Sequence, residues 1–187
     1  MRKVILLMSI SIDGVVAAPN DPKGLSPARE DPELKALKLE WLSHAGCHIM
    51  GRTTYEEMAA HWPYSDDAYA QPMNALPKVV FSRTLTEAPW ETSRIAGGDL
   101  AEGIAGLKRE PGGDIIAWGG ASFAHSLIAA NLIDEYRLVL HPVLVGDGLR
   151  IFDRFPGPID LTLSDIQSFD SGSIVQVYER AQPRARA

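Results

Sequence analysis

The sequence predicts an α/β domain whose sheet is mostly parallel and ends in an antiparallel pair of strands. Two observations predict this class. Short apolar stretches typical of buried strands alternate with stretches that have one apolar helical face. The last two apolar stretches, 159–167 and 173–180, flank Ser171-Gly172 and predict a closing hairpin. The 187 residues suit a single domain, placed over 1–181, and a polar flexible tail over 182–187.

The first half of the chain supplies strands and helices in alternation. Proline, glycine and asparagine are frequent between the first strand and the first helix, which predicts a long loop there. In chain order the predicted elements are strand 4–8, loop 17–32, helix 33–44, strand 47–50, helix 53–60 and strand 78–82.

The second half continues the alternation and then changes to strands alone. A long apolar strand over 134–145 is interrupted at Pro142, because proline cannot donate to a strand ladder. The remaining predicted elements are strand 93–96, helix 99–108, strand 114–118, helix 121–130 and a turn at 146–148.

Composition excludes several classes of protein. The formal net charge of -6 argues against a sequence-independent grip on nucleic acid, which needs a basic surface. The single cysteine, Cys47, excludes an intramolecular disulfide. The apolar run at the N-terminus stops at Met8, too short for a membrane helix and without a signal-cleavage site. We therefore expect a cytoplasmic protein with no nucleic-acid or membrane partner.

Glycines, arginines and hydroxyl residues follow three predicted strands at the point where each strand ends. Ligands of open α/β sheets bind beyond the carboxyl ends of the strands, and glycines there let the backbone approach a ligand. A following helix N-terminus offers free amides to a phosphate. The three groups are Gly51-Arg52-Thr53-Thr54, Ser82-Arg83 and Gly119-Gly120-Ala121-Ser122.

Two arginines at neighbouring strand ends suit a second phosphate, since guanidinium matches phosphate oxygens bidentately. A pyrophosphate site together with such a site fits a dinucleotide with an extra ribose phosphate, NADPH.

Each of these residues also has a simpler explanation that involves no ligand. Thr53 with Glu56, and Thr54 with Glu57, fit helix-capping boxes; Gly119-Gly120 fits a tight turn; Arg52 and Arg83 fit solvated surface charges.

With these residues the chain resembles the dihydrofolate reductase-like superfamily, and within it the reductase domain of riboflavin biosynthesis. The resemblance covers roughly residues 3–180. The matching motifs, in family order, are SISIDG at 9–14, IMGRTTYE at 49–56, VVFSR at 79–83, IIAWGGAS at 115–122 and PVLVGDG at 142–148. The resemblance implies a three-layer α/β/α fold and NADPH-dependent hydride transfer to a pyrimidine- or pteridine-like heterocycle, of the 5-amino-6-(5-phosphoribosylamino)uracil reductase type.

The resemblance also implies roles for individual residues. Gly51, Arg52, Thr53 and Thr54 would hold the cofactor phosphates, and Ser82 and Arg83 the adenosine and its 2′-phosphate. The pyrophosphate would lie against Gly119, Gly120, Ala121, Ser122 and Phe123. Substrate and nicotinamide would lie near Ile12, Asp13 and Gly14, under a lid formed by residues 15–30.

One position departs from the family pattern. Dihydrofolate reductases carry an acidic residue early in the first helix, facing the pterin. An ungapped count back from Met50-Gly51-Arg52 places the equivalent position near Lys35, with Glu33 the nearest carboxylate. A lysine cannot anchor a protonated pterin edge, so the resemblance implies a heterocycle other than dihydrofolate.

Asp13 is the first candidate for substrate contact or proton transfer, and Glu33 is a weaker one. Their alternatives are a turn residue in Asp13-Gly14 and a solvent-facing helix charge. The histidines have no metal-site spacing, so no metal is predicted, and His48 and His141 are expected to pack within strands. The tryptophans are expected to pack as well; the alternative places Trp62 and Trp118 in the ligand cleft.

Two other functions stay open from the sequence. The chain could be a nucleotide- or drug-binding module of this fold without turnover, or a true dihydrofolate reductase with a displaced acid. We also expect a homodimer, with the 134–145 strand and the hairpin behind it as the surface, because exposed strand edges tend to be paired.

Overall fold

A computed structural model describes residues 1–18, 31–153 and 157–181 of the chain. The predicted lid residues 19–30 and the tail 182–187 lie outside the described residues. Strands are β1 Val4–Ser11, β2 Val15–Ala17, β3 Ala45–Gly51, β4 Lys78–Phe81, β5 Ser93–Ala96, β6 Asp114–Trp118, β7 Glu135–His141, β8 Leu149–Arg150, β9 Leu161–Ser168 and β10 Ile174–Arg180. Helices are α1 Pro32–Ser43, α2 Arg52–His61, α3 Ala70–Ala75, α4 Leu100–Arg109 and α5 Ala121–Ala129, with a 3-10 turn at Trp62–Tyr64.

Eight strands form one sheet in the order β5-β4-β3-β6-β1-β7-β10-β9. The six strands from β5 to β7 are parallel, and β10 is antiparallel to both β7 and β9. The mixed, mostly parallel sheet with an antiparallel C-terminal pair confirms the predicted fold class.

Helices cover both faces of the sheet, which gives the three layers. On one face α4 and α5 bury Ile104 and Leu127 against strand residues such as Leu6 and Ile49. On the other face α1 buries Leu34 against the central strands, and α2 and α3 close a further cluster that includes Tyr55 and Met73. The central strands are apolar on both sides because each of their faces meets a helix layer.

Four local features differ from the sequence prediction. The first strand continues past Met8 to Ser11, and short strands β2 and β8 pair as a separate antiparallel ladder. The third helix, α3, and the 3-10 turn before it were not predicted; both are short, and each contains a proline. The strand predicted over 134–145 ends at His141, directly before Pro142.

The predicted dimer surface included the strand over 134–145, and that part of the prediction is corrected by the structure. Strand β7 lies between β1 and β10 and is largely buried, so 134–145 offers no free edge. The edge strand on this side of the sheet is β9, and every one of its residues is exposed. Across residues 1–18, 31–153 and 157–181, none of the helices has the length and apolar character needed to cross a membrane.

Candidate functional site

A cavity of about 570 Å³ opens at the carboxyl ends of β1, β6 and β7, on the sheet face that α1 and α2 cover. The chain leaves β1 toward β3 on one side and leaves β6 toward β7 on the other, so the cavity lies at a topological switch point. Its walls are Leu7, Met8, Ser9, Val16, Ala17, Lys38, Thr54, Glu57, His61, Trp62, Ser65, Asp67, Tyr69, Met73, Trp118, Gly119, Gly120, Ala121 and His141. This volume suits a small organic ligand.

The three predicted groups follow three adjacent strands. Gly51 pairs in register with Phe81 of β4, and β6 lies on the other side of β3. Residues from the β3 and β6 groups line the cavity, whereas Ser82 and Arg83 lie one strand further out. The carboxyl ends that sequence reasoning placed together are therefore neighbours in the sheet.

Two helices at this edge begin at glycine and have no side-chain cap. Gly51 is the N-cap of α2 and Gly120 the N-cap of α5, and neither helix start receives a side-chain hydrogen bond. By contrast, α1 and α4 are capped by the carboxylates of Asp31 and Asp99. The first-turn amides of α2 and α5 are thus left for another acceptor.

The capping-box explanation of Thr53 and Thr54 is wrong, because α2 starts at Arg52 and both threonines lie inside its first turn. Thr53 is exposed. The Thr54 hydroxyl donates to the backbone carbonyl oxygen of Gly119 instead, and a side chain at Gly120 would come within 2.9 Å of the same hydroxyl. Thr54 therefore joins the start of α2 to the turn that starts α5.

The remaining glycines and the α5 residues have packing roles that sequence reasoning did not assign. A Cβ at Gly119 would collide with the side chain of Met8, and one at Gly51 would lie 3.2 Å from the Cβ of Phe123. Ala121 and Phe123 are buried, and the Phe123 ring stacks on Phe81 with 5.6 Å between centroids. Ser122 is exposed in the first turn of α5.

The predicted phosphate-binding arginines differ in their surroundings. Arg52 donates to Glu56 one turn further along α2, and its side chain is 51% exposed. Arg83 is exposed and makes no ion pair within the described part of the chain. Ser82 accepts hydrogen bonds from the amides of Thr84 and Leu85, which shapes the turn that carries Arg83.

Asp13 lies in a turn outside the cavity lining. Its carboxylate accepts hydrogen bonds from the Ser11 hydroxyl and from the amides of Val145 and Gly146, and Arg150 lies 3.5 Å away. These donors, the Ser11 hydroxyl first, hold the pKa of Asp13 well below its usual range. Asp13 therefore stays ionised and fastens β1 to the 143–150 segment, as expected of a turn residue.

The neighbours of Asp13 support the same turn. Gly14 has φ +78°, a left-handed conformation that glycine adopts without strain, and its amide donates to the Ser11 carbonyl. Ile12 is 58% exposed. None of Ile12, Asp13 and Gly14 lines the cavity, whereas Val16 and Ala17 of the predicted lid do.

The residue of α1 that lines the cavity is Lys38, one turn after Lys35. Lys35 instead forms an ion pair with Asp67 at 2.8 Å and lies over the Tyr69 ring, fastening the 65–69 segment to α1. Glu33 is exposed at the start of α1 and is outside the cavity lining. The counted position, Lys35, therefore pairs with Asp67, and the α1 residue in the cavity lining is another lysine, Lys38.

The sequence family follows from a match along nearly the whole chain. The RibD C-terminal domain family matches residues 2–175. This chain belongs to the RibD C-terminal domain family. Among curated proteins, the uncharacterised YyaP of Bacillus subtilis is 28% identical over 182 residues, covering 95% of this chain and 94% of that protein.

Solved structures share the fold of this RibD C-terminal domain. A Shewanella protein provisionally assigned to riboflavin biosynthesis aligns with TM-score 0.75 and 21% identity, covering 96% of this chain and 99% of that one. Dihydrofolate reductase from Enterococcus faecalis, solved with NADP(H), aligns with TM-score 0.64 and 14% identity, covering 96% and 97%. These likenesses confirm the dihydrofolate reductase-like fold that the resemblance implies.

Several cavity residues of this RibD C-terminal domain were missed at the sequence level. Glu57 and His61 lie on the same face of α2 as Thr54, at helical spacings of three and seven, a signal that the sequence did contain. Trp62 and Trp118 line the cavity, as the alternative for the tryptophans proposed. In the described residues no three His, Cys, Asp or Glu side chains group as metal ligands, and the absence of a metal stays a prediction.

Proposed function

We propose that this chain is an NADPH-dependent reductase that transfers hydride to a small pyrimidine- or pteridine-like heterocycle, of the 5-amino-6-(5-phosphoribosylamino)uracil reductase type. One observation carries the proposal. A ligand-sized cavity lies at the switch point of the sheet and is bounded by two uncapped helix N-termini, which Thr54 fastens to one another. Family membership and the dihydrofolate reductase-like fold support an oxidoreductase.

The residues at the strand ends fit the cofactor. Uncapped amides at the starts of α2 and α5 would hold the pyrophosphate, with Gly51, Gly119 and Gly120 keeping side chains out of its path. Arg83, exposed beyond β4, would hold the 2′-phosphate. When bound, NADPH supplies the hydride, and the chain's own part is to orient the two rings and exclude water.

The cavity wall on the α1 side suits a ring that carries carbonyl oxygens. Lys38 brings an ammonium donor to the cavity, which favours a hydrogen-bond acceptor over the amidine edge of a protonated pterin. Trp62, Tyr69 and Trp118 supply aromatic surface for a planar ring. A pyrimidinedione or a related oxo-heterocycle has both features.

A second candidate is a true dihydrofolate reductase with a displaced acid, because the Glu57 carboxylate lines the cavity from α2. Oxidation of NADPH with dihydrofolate would support it. The same experiment with a uracil-type substrate separates the two, since Lys38 favours the oxo-pyrimidine.

The test is NADPH titration followed by a turnover assay. Tryptophan fluorescence should be quenched by NADPH and much less by NADH, and absence of binding at millimolar NADPH would overturn the proposal. NADPH oxidation is then measured with a panel of pterins, aminopyrimidines and flavins. Binding without oxidation of NADPH by any compound would favour the binding module over the enzyme.

We also propose a cytoplasmic homodimer joined at β9. The single cysteine is buried, as suits a reducing compartment, and β9 presents an open ladder with Leu163 and Ile166 48% and 56% exposed. Light scattering should give about 41 kDa, twice the 20.4 kDa chain. A mass near 20.4 kDa would contradict the dimer.

A further inference from the structure

The cavity residue Trp118 is tied to a histidine that no ligand can reach. Trp118 is the last residue of β6 and is half-buried. Its indole Nε1–H donates to Nδ1 of His48 across 2.8 Å. His48 lies on the neighbouring strand β3 and is completely buried. A residue of the cavity wall is thus held from inside the protein.

The partners of His48 fix its tautomer. An indole N–H can only donate, so Nδ1 of His48 carries no proton. The proton is therefore on Nε2, which lies 3.3 Å from the carbonyl oxygen of Pro72 in α3 and donates to it. Both ring nitrogens are used, and the imidazole connects the end of β6 to α3.

The surroundings of His48 keep it neutral. Lys78 on β4 is its partner in register, and a charged imidazole would be repelled by that ammonium. Burial, and secondarily Lys78, lowers the pKa of His48 to about 4. The acceptor at Nδ1 is therefore present throughout the neutral range.

This bond determines how Trp118 meets a ligand. The only polar atom of the indole points at His48, so the part of the ring left for the cavity is carbon surface. Trp118 also packs beside the apolar clusters of α1 and of α2–α3, on the cavity side where Lys38 and Tyr69 lie. A fixed aromatic surface there favours stacking of a planar ring.

We propose that Trp118 is the surface on which the heterocyclic substrate packs, and that His48 is the positioning residue that fixes its indole ring. The identity of the ligand that packs on Trp118 rests on the proposed reductase function. The fixing of the Trp118 ring by His48 does not depend on that function. We assign the effect of His48 to substrate binding through Trp118, and not to the binding of NADPH.

The geometric part is tested without any ligand. In ¹⁵N-labelled protein, the Trp118 indole N–H resonance is identified by its loss in Trp118→Phe. We expect slow exchange with solvent in the wild type and in His48→Gln, whose amide offers both an acceptor and a donor. We expect exchange to be at least tenfold faster in His48→Phe. Equal protection in folded His48→Phe would overturn the inference.

The functional part uses NADPH and the panel compound that the wild type reduces. His48→Phe and Trp118→Leu should raise KM for that compound about tenfold, with the Kd of NADPH within twofold of wild type, and His48→Gln should recover most of the loss. In the Trp118→Leu background, His48→Phe and His48→Gln should have the same KM. A loss of NADPH affinity equal to the KM effect would contradict the inference.

Failure of the proposed reductase function can be distinguished from failure of the inference about His48 and Trp118. A wild type that binds NADPH and reduces no panel compound would remove the proposed activity, while the indole resonances would still decide whether His48 fixes Trp118. If His48→Phe does not fold, the wild type and His48→Gln carry the exchange measurement, with Trp118→Phe still identifying the resonance. Unprotected Trp118 in the wild type itself would overturn the inference in that case.

Discussion

The hydroxyl of Thr54 donates a hydrogen bond to the backbone carbonyl oxygen of Gly119, so the first turn of α2 is fastened to the turn that starts α5. Thr54 is 6% exposed, and the bond connects the carboxyl ends of two neighbouring strands. It sets the separation of the two uncapped helix N-termini. Both the stability of this edge and its affinity for a pyrophosphate should depend on it.

Thr54→Val should therefore weaken NADPH binding about tenfold and lower the free energy of unfolding by about 1–2 kcal/mol, because the Gly119 carbonyl loses its donor. Calorimetric titration and urea denaturation measure the two effects. Thr54→Ser should behave like the wild type. Thr53→Val, at the exposed neighbouring position, is the matched control for stability and should leave the free energy of unfolding unchanged.

Arg83→Ala should weaken NADPH about ten- to hundredfold and leave NADH affinity unchanged, since only NADPH carries the 2′-phosphate that a guanidinium would bind. The dissociation constants of both cofactors are measured by fluorescence titration. Arg109→Ala, at another exposed arginine, controls for the loss of general positive charge. Equal losses for the two cofactors would remove Arg83 from the phosphate site.

Asp13→Asn should lower the melting temperature without changing the pH profile of kcat. The carboxylate anchors the 143–150 segment through two backbone amides and the Ser11 hydroxyl, and an amide cannot accept at both of its ends. Because the folded-state pKa is depressed, this stabilisation is present above the ordinary Asp pKa and is lost as the pH falls through the folded-state value. Thermal melts at several pH values measure it.

The matched control for Asp13 is Asp147→Asn, which changes an exposed carboxylate of the same loop. It should leave the melting temperature unchanged. If Asp13→Asn instead abolished turnover at an unchanged melting temperature, the catalytic interpretation of Asp13 would replace the structural one.

The strand ends could be predicted from the sequence because buried strands have a clear signal and glycine or arginine follows three of them directly. Nothing in the sequence showed which hydroxyl would cap a helix and which would cross to another element. Thr54 satisfies the spacing of a capping box, but α2 starts three residues too early for Thr54 to be its N-cap. That difference depends on tertiary contact with Gly119, which a local pattern does not contain.

The cavity wall between α2 and β4 was harder to predict than the strand ends. Trp62 and Tyr69 lie in this segment, where a 3-10 turn and the six-residue helix α3 lack a periodic pattern. The choice between Lys35 and Lys38 depends on the rotation of α1 over the sheet, and a shift of one turn changes which side chain enters the cavity. Counting residues back from β3 does not determine this rotation, because the count assumes that no residue is inserted or deleted between α1 and β3.

Stability should fall as the pH is lowered from 6.5 to 4, in part because His48 is buried in its neutral form. The unfolded chain binds a proton at His48 near pH 6.5, while the folded protein resists it until about pH 4. The unfolded state therefore holds more protons in this window, and the loss amounts to about 3 kcal/mol. Urea denaturation in steps between these pH values measures it.

His48→Gln, which cannot titrate, should have a flatter dependence of unfolding free energy on pH over the same window. His44→Gln, which removes an exposed histidine, is the matched control for the loss of an imidazole. A His48→Gln protein with the full wild-type slope would assign the acid sensitivity to carboxylates instead.

Lys38→Met should raise KM for an oxo-heterocycle by about tenfold or more while the Kd of NADPH stays within twofold, because the proposed substrate would lose a cationic donor, whereas the proposed pyrophosphate site lies at the starts of α2 and α5. Lys35→Met is the comparison variant, since it removes a lysine one turn away that is itself outside the cavity lining, although it pairs with the cavity residue Asp67. It should affect stability more than KM.

Lys38→Asp tests the substrate preference directly. A carboxylate at this position would favour a protonated pterin edge, and weak NADPH oxidation with dihydrofolate should then appear. If Lys35→Met and Lys38→Met raised KM equally, the assignment of Lys38 as the substrate-facing residue of α1 would be wrong.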